Sequence, residues 1–376
     1  MDLAYSGYVL FLFWVQIGCS FHREGTIPVM KEKLNQSYLE QLVGNTTSKK
    51  YIYGAVFYVS NDDNSIDLIS ASGNINKDSQ YYIASVNKLF ISSIILKLYT
   101  TNRLDLHDKI SKYLQEEVVR ELHTYKGKDY SHDLSIAHLM SQTSGLPCYL
   151  IDKQANGKKA MAELEASSDQ PWPFDKLIHE VKRMNTHFPP GKEGKAKYID
   201  TNHQILSVII QNITGEPINN ILNNLFKELN LTKTYVCVDT NNEIFVPIRY
   251  KSEVINIPLY LNSTQNDIIS TAKDQMTFVK AFFNGHFFPK ERLKELYQWN
   301  NIIFPFKYGI GIQKFYMPRL LSPFKPVPDM IGHCGSTGSV AFYIPDMNIY
   351  ITGTINQQAR PNIAFQTMIK IINKLS

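Results

Sequence analysis

The sequence predicts an α+β fold, in which a mixed, mainly antiparallel sheet is flanked by helices and interrupted by an inserted all-helical subdomain. Alternating patterns typical of strands occur near both ends of the chain, whereas helical patterns dominate residues 104–231. Proline and glycine are frequent where these middle helices meet, as expected of short connections. We therefore expect a sheet subdomain from about 28–100 and 285–376, and a helical subdomain from about 101–284.

The predicted elements follow from local patterns taken in chain order. An amphipathic helix is predicted at 28–43, before two strands at 51–60 and 66–72 that form a hairpin. A strongly apolar helix then begins near Ser85. The remaining predictions are helices at 136–141, 174–184, 203–213, 218–229, 272–284 and 291–299, strands at 308–315, 339–344 and 348–355, and a last helix at 362–375.

Composition excludes some classes of function. Of 376 residues, 44% are hydrophobic and 19% charged, which is typical of a folded protein. The net charge of +5 comes from Lys and Arg scattered among acids, without the basic stripe and interleaved aromatics of a nucleic-acid binder. The four cysteines, Cys19, Cys148, Cys237 and Cys334, match no zinc-binding spacing. We expect no nucleic-acid partner, no metal and no organic cofactor.

The first 19 residues predict an export signal. The apolar run at 8–15 is too short to span a bilayer as a helix. It is followed by Gly18-Cys19-Ser20, which resembles a bacterial lipoprotein signal in which Cys19 is lipidated. No Lys or Arg precedes the run, so a plain secretory signal stays open. The expected location is periplasmic or at the cell surface, with a lipid anchor at Cys19 as the finer prediction.

The segment Ser85-Val86-Asn87-Lys88 carries the strongest chemical signal in the chain. Residues three apart share a helix face, so the Ser85 hydroxyl and the Lys88 amine should be neighbours. A serine needs an adjacent base to become a good nucleophile, and a buried lysine with a lowered pKa can be that base. Two other Ser-x-x-Lys segments start at Ser270, interpreted as a helix N-cap, and at Ser322, in a proline-broken loop.

Three further segments fit with Ser85. Residues 134–147 end in Thr-Ser-Gly-Leu-Pro, and residues 188–191 read Phe-Pro-Pro-Gly before Tyr198-Ile199-Asp200. The third segment, residues 332–338, reads Gly-His-Cys-Gly-Ser-Thr-Gly. At these residues the chain resembles the serine β-lactamase and penicillin-binding-protein superfamily. Within it, the chain is most similar to the branch of class C β-lactamases, DD-carboxypeptidases and esterases, over about residues 51–355.

The resemblance implies a role for each matching residue. Ser85 corresponds to the acyl-accepting nucleophile, Lys88 to the partner that deprotonates it or tunes its field, and Tyr198 to the proton-shuttling tyrosine. The backbone N–H groups of Ser85 and of Ser336, which follows Gly335, would form the oxyanion hole. His333 stands on the strand beside the site, where it or its neighbours can bind the substrate.

Two positions depart from the usual family pattern. Asp200 stands where asparagine is usual; the resemblance places it among the substrate-binding residues, and it is also expected to cap the following helix and to favour a protonated Lys88. His333-Cys334-Gly335 replaces Lys-Thr-Gly, so a fixed positive charge is lost and a histidine that is charged only part of the time near pH 7 takes its place. Both departures argue against an efficient β-lactamase.

The expected function is therefore acyl transfer by a serine hydrolase domain covering residues 20–376. The resemblance and the predicted export favour a D-alanyl-D-alanine carboxypeptidase or a related amide hydrolase that forms an acyl-enzyme on Ser85. An esterase and a weak class C-like β-lactamase are the alternatives, and a penicillin-binding sensor without turnover is the alternative of another class. We expect a monomer acting on a small molecule or a peptide.

Overall fold

The computed structural model describes residues 34–237, 245–321 and 325–375. The predicted export signal and Cys19 lie outside the described residues, so export and lipidation stay predictions. The strands are β1 (Gly54–Asn61), β2 (Asp67–Gly73), β3 (Tyr81–Tyr82), β4 (Thr124–Tyr125), β5 (Lys128–Asp129), β6 (Tyr235–Val236), β7 (Arg249–Tyr250), β8 (Glu253–Val254), β9 (Ile268–Ser270), β10 (Asn300–Ile303), β11 (Phe306–Tyr308), β12 (Gln313–Phe315), β13 (Met330–Cys334), β14 (Val340–Ile344) and β15 (Ile349–Thr354).

The helices connect these strands and cover the sheet. They are α1 (Gln36–Thr47), α2 (Asn87–Thr100), α3 (Glu116–Val119), α4 (Ile136–Met140), α5 (Ala160–Glu165), α6 (Phe174–Lys182), α7 (Asp200–Thr214), α8 (Ile218–Glu228), α9 (Pro258–Thr264), α10 (Ala272–Phe283) and α11 (Asn362–Leu375). Within the three described ranges, no helix combines the length and the apolar character needed to cross a bilayer.

One large antiparallel sheet is built from both ends of the chain. Its strand order is β10-β11-β12-β13-β14-β15-β1-β2, so the first strand pairs with the last. In this pairing Val56 lies opposite Thr354 and Asn61 lies opposite Ile349. The predicted fold class, a mainly antiparallel sheet flanked by helices, is confirmed.

The two faces of the sheet are covered by different helices. Helices α1 and α11 pack on one face, where Leu39 and Ile371 join the same apolar cluster as Phe57 and Phe342. Helix α10 packs on the other face against β15, β1 and β14. Successive side chains of a strand point to opposite faces of the sheet, and in this sheet both faces carry apolar side chains that helices cover.

The inserted segment is mainly, but not purely, helical. Its strands β6 and β9 form a small three-stranded sheet with β3, which lies before the insertion, and β4–β5 and β7–β8 form two hairpins. The expectation of an all-helical subdomain missed these strands because two or three residues are too few to show alternation. Helix α10 falls within the predicted helical range yet packs on the large sheet.

Two local predictions near the C-terminal half were wrong. The strand predicted at 308–315 is two antiparallel strands, β11 and β12, joined by a turn in which Gly311 has a φ of 73°. Glycine adopts this left-handed conformation at little cost, so the apolar run folds back on itself. The helix predicted at 291–299 is a 3₁₀ helix, Lys290–Leu296, which leads into β10.

Candidate active site

Ser85 lies in a 3₁₀ turn, Ala84–Val86, that leads directly into α2. The residue before it, Ala84, has a positive φ of 47°, a conformation that non-glycine residues rarely adopt. Ser85 is partly exposed, whereas the helix that follows is buried on nearly all sides. The turn thus presents the Ser85 hydroxyl to a pocket while α2 anchors it in the core.

Lys88 links Ser85 to a carboxylate. Its Nζ lies 3.0 Å from Ser85 Oγ and 2.7 Å from Asp200 Oδ1, and the residue is only 5% exposed. Burial acts to lower the pKa of Lys88, but the Asp200 carboxylate outweighs it, and the net effect is a pKa above the usual lysine value. Lys88 is therefore an ammonium at rest and donates to the Ser85 hydroxyl.

Asp200 is the first residue of α7. The prediction that Asp200 caps this helix was wrong. The N-cap position is occupied by Ile199, and no side chain makes a capping hydrogen bond there. The Asp200 carboxylate turns to Lys88 instead, and Oδ2 also accepts a hydrogen bond from the buried Cys148 thiol at 3.3 Å. Burial, with the Asp200 charge as the next cause, raises the pKa of Cys148, so the thiol stays protonated as a donor.

Tyr198 precedes α7 and faces the same lysine. Lys88 Nζ lies 5.3 Å from the centre of the Tyr198 ring. The Tyr198 hydroxyl is buried and has no hydrogen-bond partner among the described residues. Burial and then the Asp200 charge raise the pKa of Tyr198 well above its usual value, while the nearby Ser85 hydroxyl opposes part of that rise. The Tyr198 phenol is therefore neutral and keeps its proton.

The Thr-Ser-Gly-Leu-Pro segment positions the Tyr198 loop. Gln142 Oε1 accepts hydrogen bonds from Ile199 N and from Asn202 Nδ2, both at 2.9 Å. Ser144 Oγ donates to Asn202 Oδ1 at 2.7 Å. The first contact holds the backbone directly after Tyr198 and the other two hold a side chain in the first turn of α7, so the segment supports the site.

His333 lies behind the pocket. It is fully buried, its Nδ1 is 2.8 Å from Cys334 O, and its Nε2 is 3.1 Å from Tyr308 Oη. The carbonyl can only accept, so Nδ1 carries the proton and Nε2 accepts from Tyr308. Burial and the Lys88 charge lower the pKa of His333 to about 3, so it is neutral near pH 7 rather than partly charged. A direct role in substrate binding stays a prediction that this burial disfavours.

Gly335 lets the end of β13 approach the Ser85 turn. A Cβ at this position would lie 2.3 Å from Ser339 Oγ and 2.4 Å from Ile83 O, so no larger residue fits. Two side-chain hydroxyls also hold the segment after β13 against the backbone before Ser85. Ser339 Oγ donates to Ile83 O at 2.6 Å, and Thr337 Oγ1 donates to Tyr82 O at 3.1 Å.

Ser336, which follows Gly335, lines the same pocket as Ser85, and their N–H groups stay the predicted oxyanion hole.

These groups surround one cavity of about 620 Å³. Six of the predicted site residues line it: Ser85, Lys88, Tyr198, Asp200, Gly335 and Ser336. Most of the remaining wall is apolar or aromatic, including Ile91, Tyr149, Leu150, Met161, Leu164 and Ile257. Lys88 is the one Lys or Arg side chain among the described residues that line the cavity. Within the described ranges, no cluster of His, Cys, Asp or Glu is placed to hold a metal ion.

Sequence reasoning missed several polar residues at or beside this cavity. Cys148 contacts Asp200, and Asn87, Glu165 and His203 line the wall. His203 could have been found from helix periodicity, since it follows Asp200 by three positions on α7. Asn87 lies inside the Ser85-to-Lys88 segment itself, but nothing in that pattern indicates where its side chain points.

A serine hydroxyl within reach of a buried lysine, beside a tyrosine and a glycine-lined strand end, defines the class of serine hydrolases with the β-lactamase and penicillin-binding-protein fold. The model of the family described as Beta-lactamase matches residues 38–367. The chain belongs to the beta-lactamase family.

Two curated relatives match part of the chain. Protein flp of Staphylococcus aureus (strain NCTC 8325 / PS 47) is 29% identical over 157 residues, which is 42% of this chain and 28% of that protein. A putative D-alanyl-D-alanine carboxypeptidase of Escherichia coli (strain K12) is 28% identical over 156 residues, covering 41% of this chain and 33% of that protein. The chain thus matches about a third or less of each relative's length.

A solved structure matches nearly the whole chain. The D-stereospecific amidohydrolase from Streptomyces sp. superposes with a TM-score of 0.72 and 22% identity, covering 89% of this chain and 98% of that one. At this level of identity the similarity establishes the fold.

Proposed function

We propose that the protein hydrolyses an amide bond next to a D-amino acid, in the manner of a D-alanyl-D-alanine carboxypeptidase, through an acyl-enzyme on Ser85. The observation that carries the proposal is the chain of contacts from Ser85 Oγ to Lys88 Nζ to Asp200 Oδ1, at 3.0 Å and 2.7 Å, at the wall of the cavity. The carboxypeptidase relative and the D-stereospecific structural neighbour support a D-configured amide.

Acylation starts from a protonated Lys88. One ammonium proton passes to Asp200, and the freed amine accepts the Ser85 proton as Oγ bonds to the substrate carbonyl carbon. The negative charge on the carbonyl oxygen is held by the N–H groups of Ser85 and Ser336. Tyr198 gives its proton to the leaving nitrogen and regains one from Lys88, so the C–N bond breaks without a free charge on nitrogen.

Deacylation reverses the proton path. A water molecule attacks the ester carbonyl, and its proton passes by Tyr198 and Lys88 to Ser85 Oγ as the C–O bond to the enzyme breaks. Asp200 then returns its proton to Lys88, so the products are an acid and the free Ser85 hydroxyl, and the ion pair is restored.

The charge of the cavity favours a second candidate, hydrolysis of an ester. Lys88 is the one cation in the described lining, and Asp200 already neutralises it. The other acids in the lining are Glu165 and Asp267, and burial raises the pKa of each. A terminal carboxylate, as on a D-Ala-D-Ala peptide or a β-lactam, finds no unpaired positive charge here, whereas a neutral ester needs none.

The proposal is tested by following Ser85 directly. Wild-type protein is incubated with a fluorescent penicillin and read by intact mass, and is then assayed with a D-Ala-D-Ala peptide and with p-nitrophenyl esters. Ser85→Ala should abolish both adduct and turnover. Ser93→Ala is the matched control, because Ser93 is a buried serine further along the same helix; its hydroxyl donates to Phe90 O, and Ser93 is not among the described residues that line the cavity.

The outcomes separate the candidates. Release of D-alanine that depends on Ser85 supports the carboxypeptidase, and turnover of esters alone supports the esterase. A lasting penicillin adduct without turnover identifies a sensor. If no substrate gives Ser85-dependent turnover and no adduct forms, the proposed hydrolysis is wrong.

A further inference from the structure

One short helix presents a single face to the cavity. Met161, Leu164 and Glu165 of α5 line the cavity, whereas Ala162 and Glu163 are not among the described residues that line it. Residues three and four apart share a helix face, so α5 lies with this face along the cavity. Met161 is half-buried and Leu164 is buried, and both side chains are apolar.

A second apolar segment continues this surface. Ile255 and Ile257, between β8 and α9, line the cavity and are buried, while Asn256 between them is exposed. This alternation is typical of an extended segment whose first and third side chains lie on the same side. The two isoleucines therefore add to the apolar surface that α5 begins.

Backbone hydrogen bonds hold the parts of this surface together. Met161 N donates to Leu150 O at 2.8 Å, and Leu150 also lines the cavity. Leu259 N donates to Asp169 Oδ2 at 2.6 Å, which ties the start of α9, with Ile257 at its N-cap, to the chain just after α5. The fold itself thus builds the surface. We call these five apolar residues the α5 wall: Leu150, Met161, Leu164, Ile255 and Ile257.

The α5 wall belongs to the same cavity as the reacting groups. Ile91 lies one helical turn after Lys88 on α2 and lines the cavity with it. Ile91 and Leu150 are members of the same apolar cluster. Apolar surface is therefore present within one helical turn of the lysine that contacts Ser85.

We infer that the α5 wall is a subsite for an uncharged apolar group of the substrate that is larger than the methyl group of alanine, which rests on the proposed acyl transfer at Ser85. Water against apolar side chains has few hydrogen-bond partners, so an apolar group that replaces it is favoured in proportion to the area it covers. A methyl group covers little of five large side chains, whereas a hexanoyl chain or a phenyl ring covers much more.

A carboxylate should be rejected at the same place. An ionised carboxylate that lies against the α5 wall loses water without gaining a partner. Glu165, on the cavity-lining face of α5, adds a charge of the same sign. Within the proposed hydrolysis, the α5 wall therefore favours an amide with a large apolar side chain or acyl group over the small, carboxylate-ended D-Ala-D-Ala.

The test varies chain length on one side of an ester at a time. p-Nitrophenyl acetate, butyrate, hexanoate and octanoate vary the acyl side, and the acetates of ethanol, butanol and hexanol vary the leaving side. The kcat/KM of wild type should rise about twofold to fourfold per added CH₂ in one of the two series. Mono-p-nitrophenyl adipate, which ends the hexanoyl chain in a carboxylate, should react about tenfold or more slowly than the hexanoate.

Met161→Gln keeps the length of the side chain but places an amide on the α5 wall. It should lower the ratio of kcat/KM for the longest and shortest chains by about threefold or more, mainly through KM. Met161→Leu should keep most of the ratio, because leucine is apolar. Met347→Gln is the matched control, since Met347 is also half-buried but is not among the described residues that line the cavity.

Two results would overturn the subsite and leave the proposed function standing. The first is a kcat/KM that does not rise with chain length in either series, alongside Ser85-dependent ester turnover. The second is a rise that Met161→Gln leaves unchanged.

A binding measurement separates failure of the subsite from failure of the proposed function. Butanamide and octanamide are titrated into Ser85→Ala protein labelled with ¹³C at the methionine methyl groups, and the Met161 signal is assigned by its loss in Met161→Leu. Octanamide should bind about tenfold or more tightly than butanamide and should shift the Met161 signal. If it does, but wild type turns over no ester or amide, the proposed function fails and the subsite survives. If octanamide binds no more tightly, or leaves the Met161 signal in place, the subsite is wrong whatever the kinetics show.

Discussion

The Asp200 carboxylate sets the protonation state of the lysine beside the nucleophile. At 2.7 Å it holds Lys88 as an ammonium, although burial alone would favour the neutral amine. The resting site is therefore an ion pair that orients Ser85 without activating it. A proton must move within the pair before Lys88 can act as a base, and this step should govern how the rate depends on pH.

Replacing Asp200 by asparagine should shift that dependence. Without the carboxylate, burial becomes the dominant influence and the pKa of Lys88 falls, so the neutral amine appears at lower pH. The acid limb of the kcat/KM profile should move down by about 1–3 pH units. A pH–rate profile measured on an ester substrate checks this shift.

Asp175→Asn is the matched control, because Asp175 is exposed on α6 and should leave the profile in place. An acid limb that stays put or moves up in Asp200→Asn would show that Lys88 is not the group whose proton loss limits the rate.

At this scale, local motifs predict the residues that a short segment holds together. Ser85 and Lys88 share one helical turn, so their contact follows from sequence. The contact of Asp200 with Cys148 does not, because it depends on how the start of α7 and the segment after α4 meet in space. The helix-cap prediction for Asp200 failed for the same reason. Lys88 is distant in sequence but close in space, and it attracts the Asp200 carboxylate more strongly than the N-terminus of α7 does.

Among the elements, the end of β13 and the turn before α2 form the most tightly fitted junction at the site. Gly335 occupies a gap bounded by Ser339 Oγ and Ile83 O, and any Cβ would clash with both. The two strand-end hydroxyls that bond to Tyr82 O and Ile83 O hold the same junction. Packing at this junction therefore limits how far Ser336 can move from the turn that carries Ser85.

Gly335→Ala should disturb this junction. Overpacking of this kind costs about 1–3 kcal/mol of stability, and the displaced Ser336 N–H should lower kcat by about 10²-fold or more. Urea denaturation and kinetics on an ester measure the two effects.

Gly44→Ala is the matched control on α1, where an added Cβ meets nothing within 4 Å. It should instead stabilise the protein by about 0.5–1 kcal/mol, since alanine favours a helix interior. A Gly335→Ala protein with wild-type stability and kcat would contradict the tight junction.

Element prediction succeeded where periodicity was long and failed where it was short. The last helix was predicted with the bounds Asn362–Leu375 that the structure gives, because its apolar face repeats over four turns. The prediction of a single strand at 308–315 failed, because the apolar pattern alone does not show that the chain reverses direction in the middle of this segment. The glycines in the segment were the signal for that turn. The small sheet of β3, β9 and β6 depends on strands too short to carry any signal.

The whole molecule is tied together across its subdomains. The cavity is lined by residues from Tyr82 to Phe365, and α10 packs on the sheet although the insertion leads into it. We therefore expect the two predicted subdomains to unfold as one unit, although their bounds stay a prediction. The monomeric state remains a prediction, to be measured by light scattering.

Cooperative unfolding of the chain is the expected outcome of this arrangement. Ile371→Ala removes a fully buried side chain from α11 and should cost about 2–5 kcal/mol. The urea midpoint should fall equally by far-UV circular dichroism and by tryptophan fluorescence, which includes the buried Trp172 of the insertion.

Lys370→Ala, at the neighbouring exposed position, should change stability by less than about 0.5 kcal/mol. If the fluorescence transition stays in place while the circular dichroism transition moves in Ile371→Ala, the insertion unfolds on its own and the single-unit interpretation is wrong.

The pairing of β1 with β15 also affects the chain during its synthesis. Val56 pairs with Thr354, which is synthesised about 300 positions later. A ribosome that adds about 5–20 residues per second needs about 15–60 s to cover this interval. Until then β1 has β2 on one side and no strand on the other, so its backbone N–H and C=O groups can pair with another nascent chain. A transcript that stops before β15 would therefore yield an aggregation-prone fragment rather than a smaller, weaker enzyme.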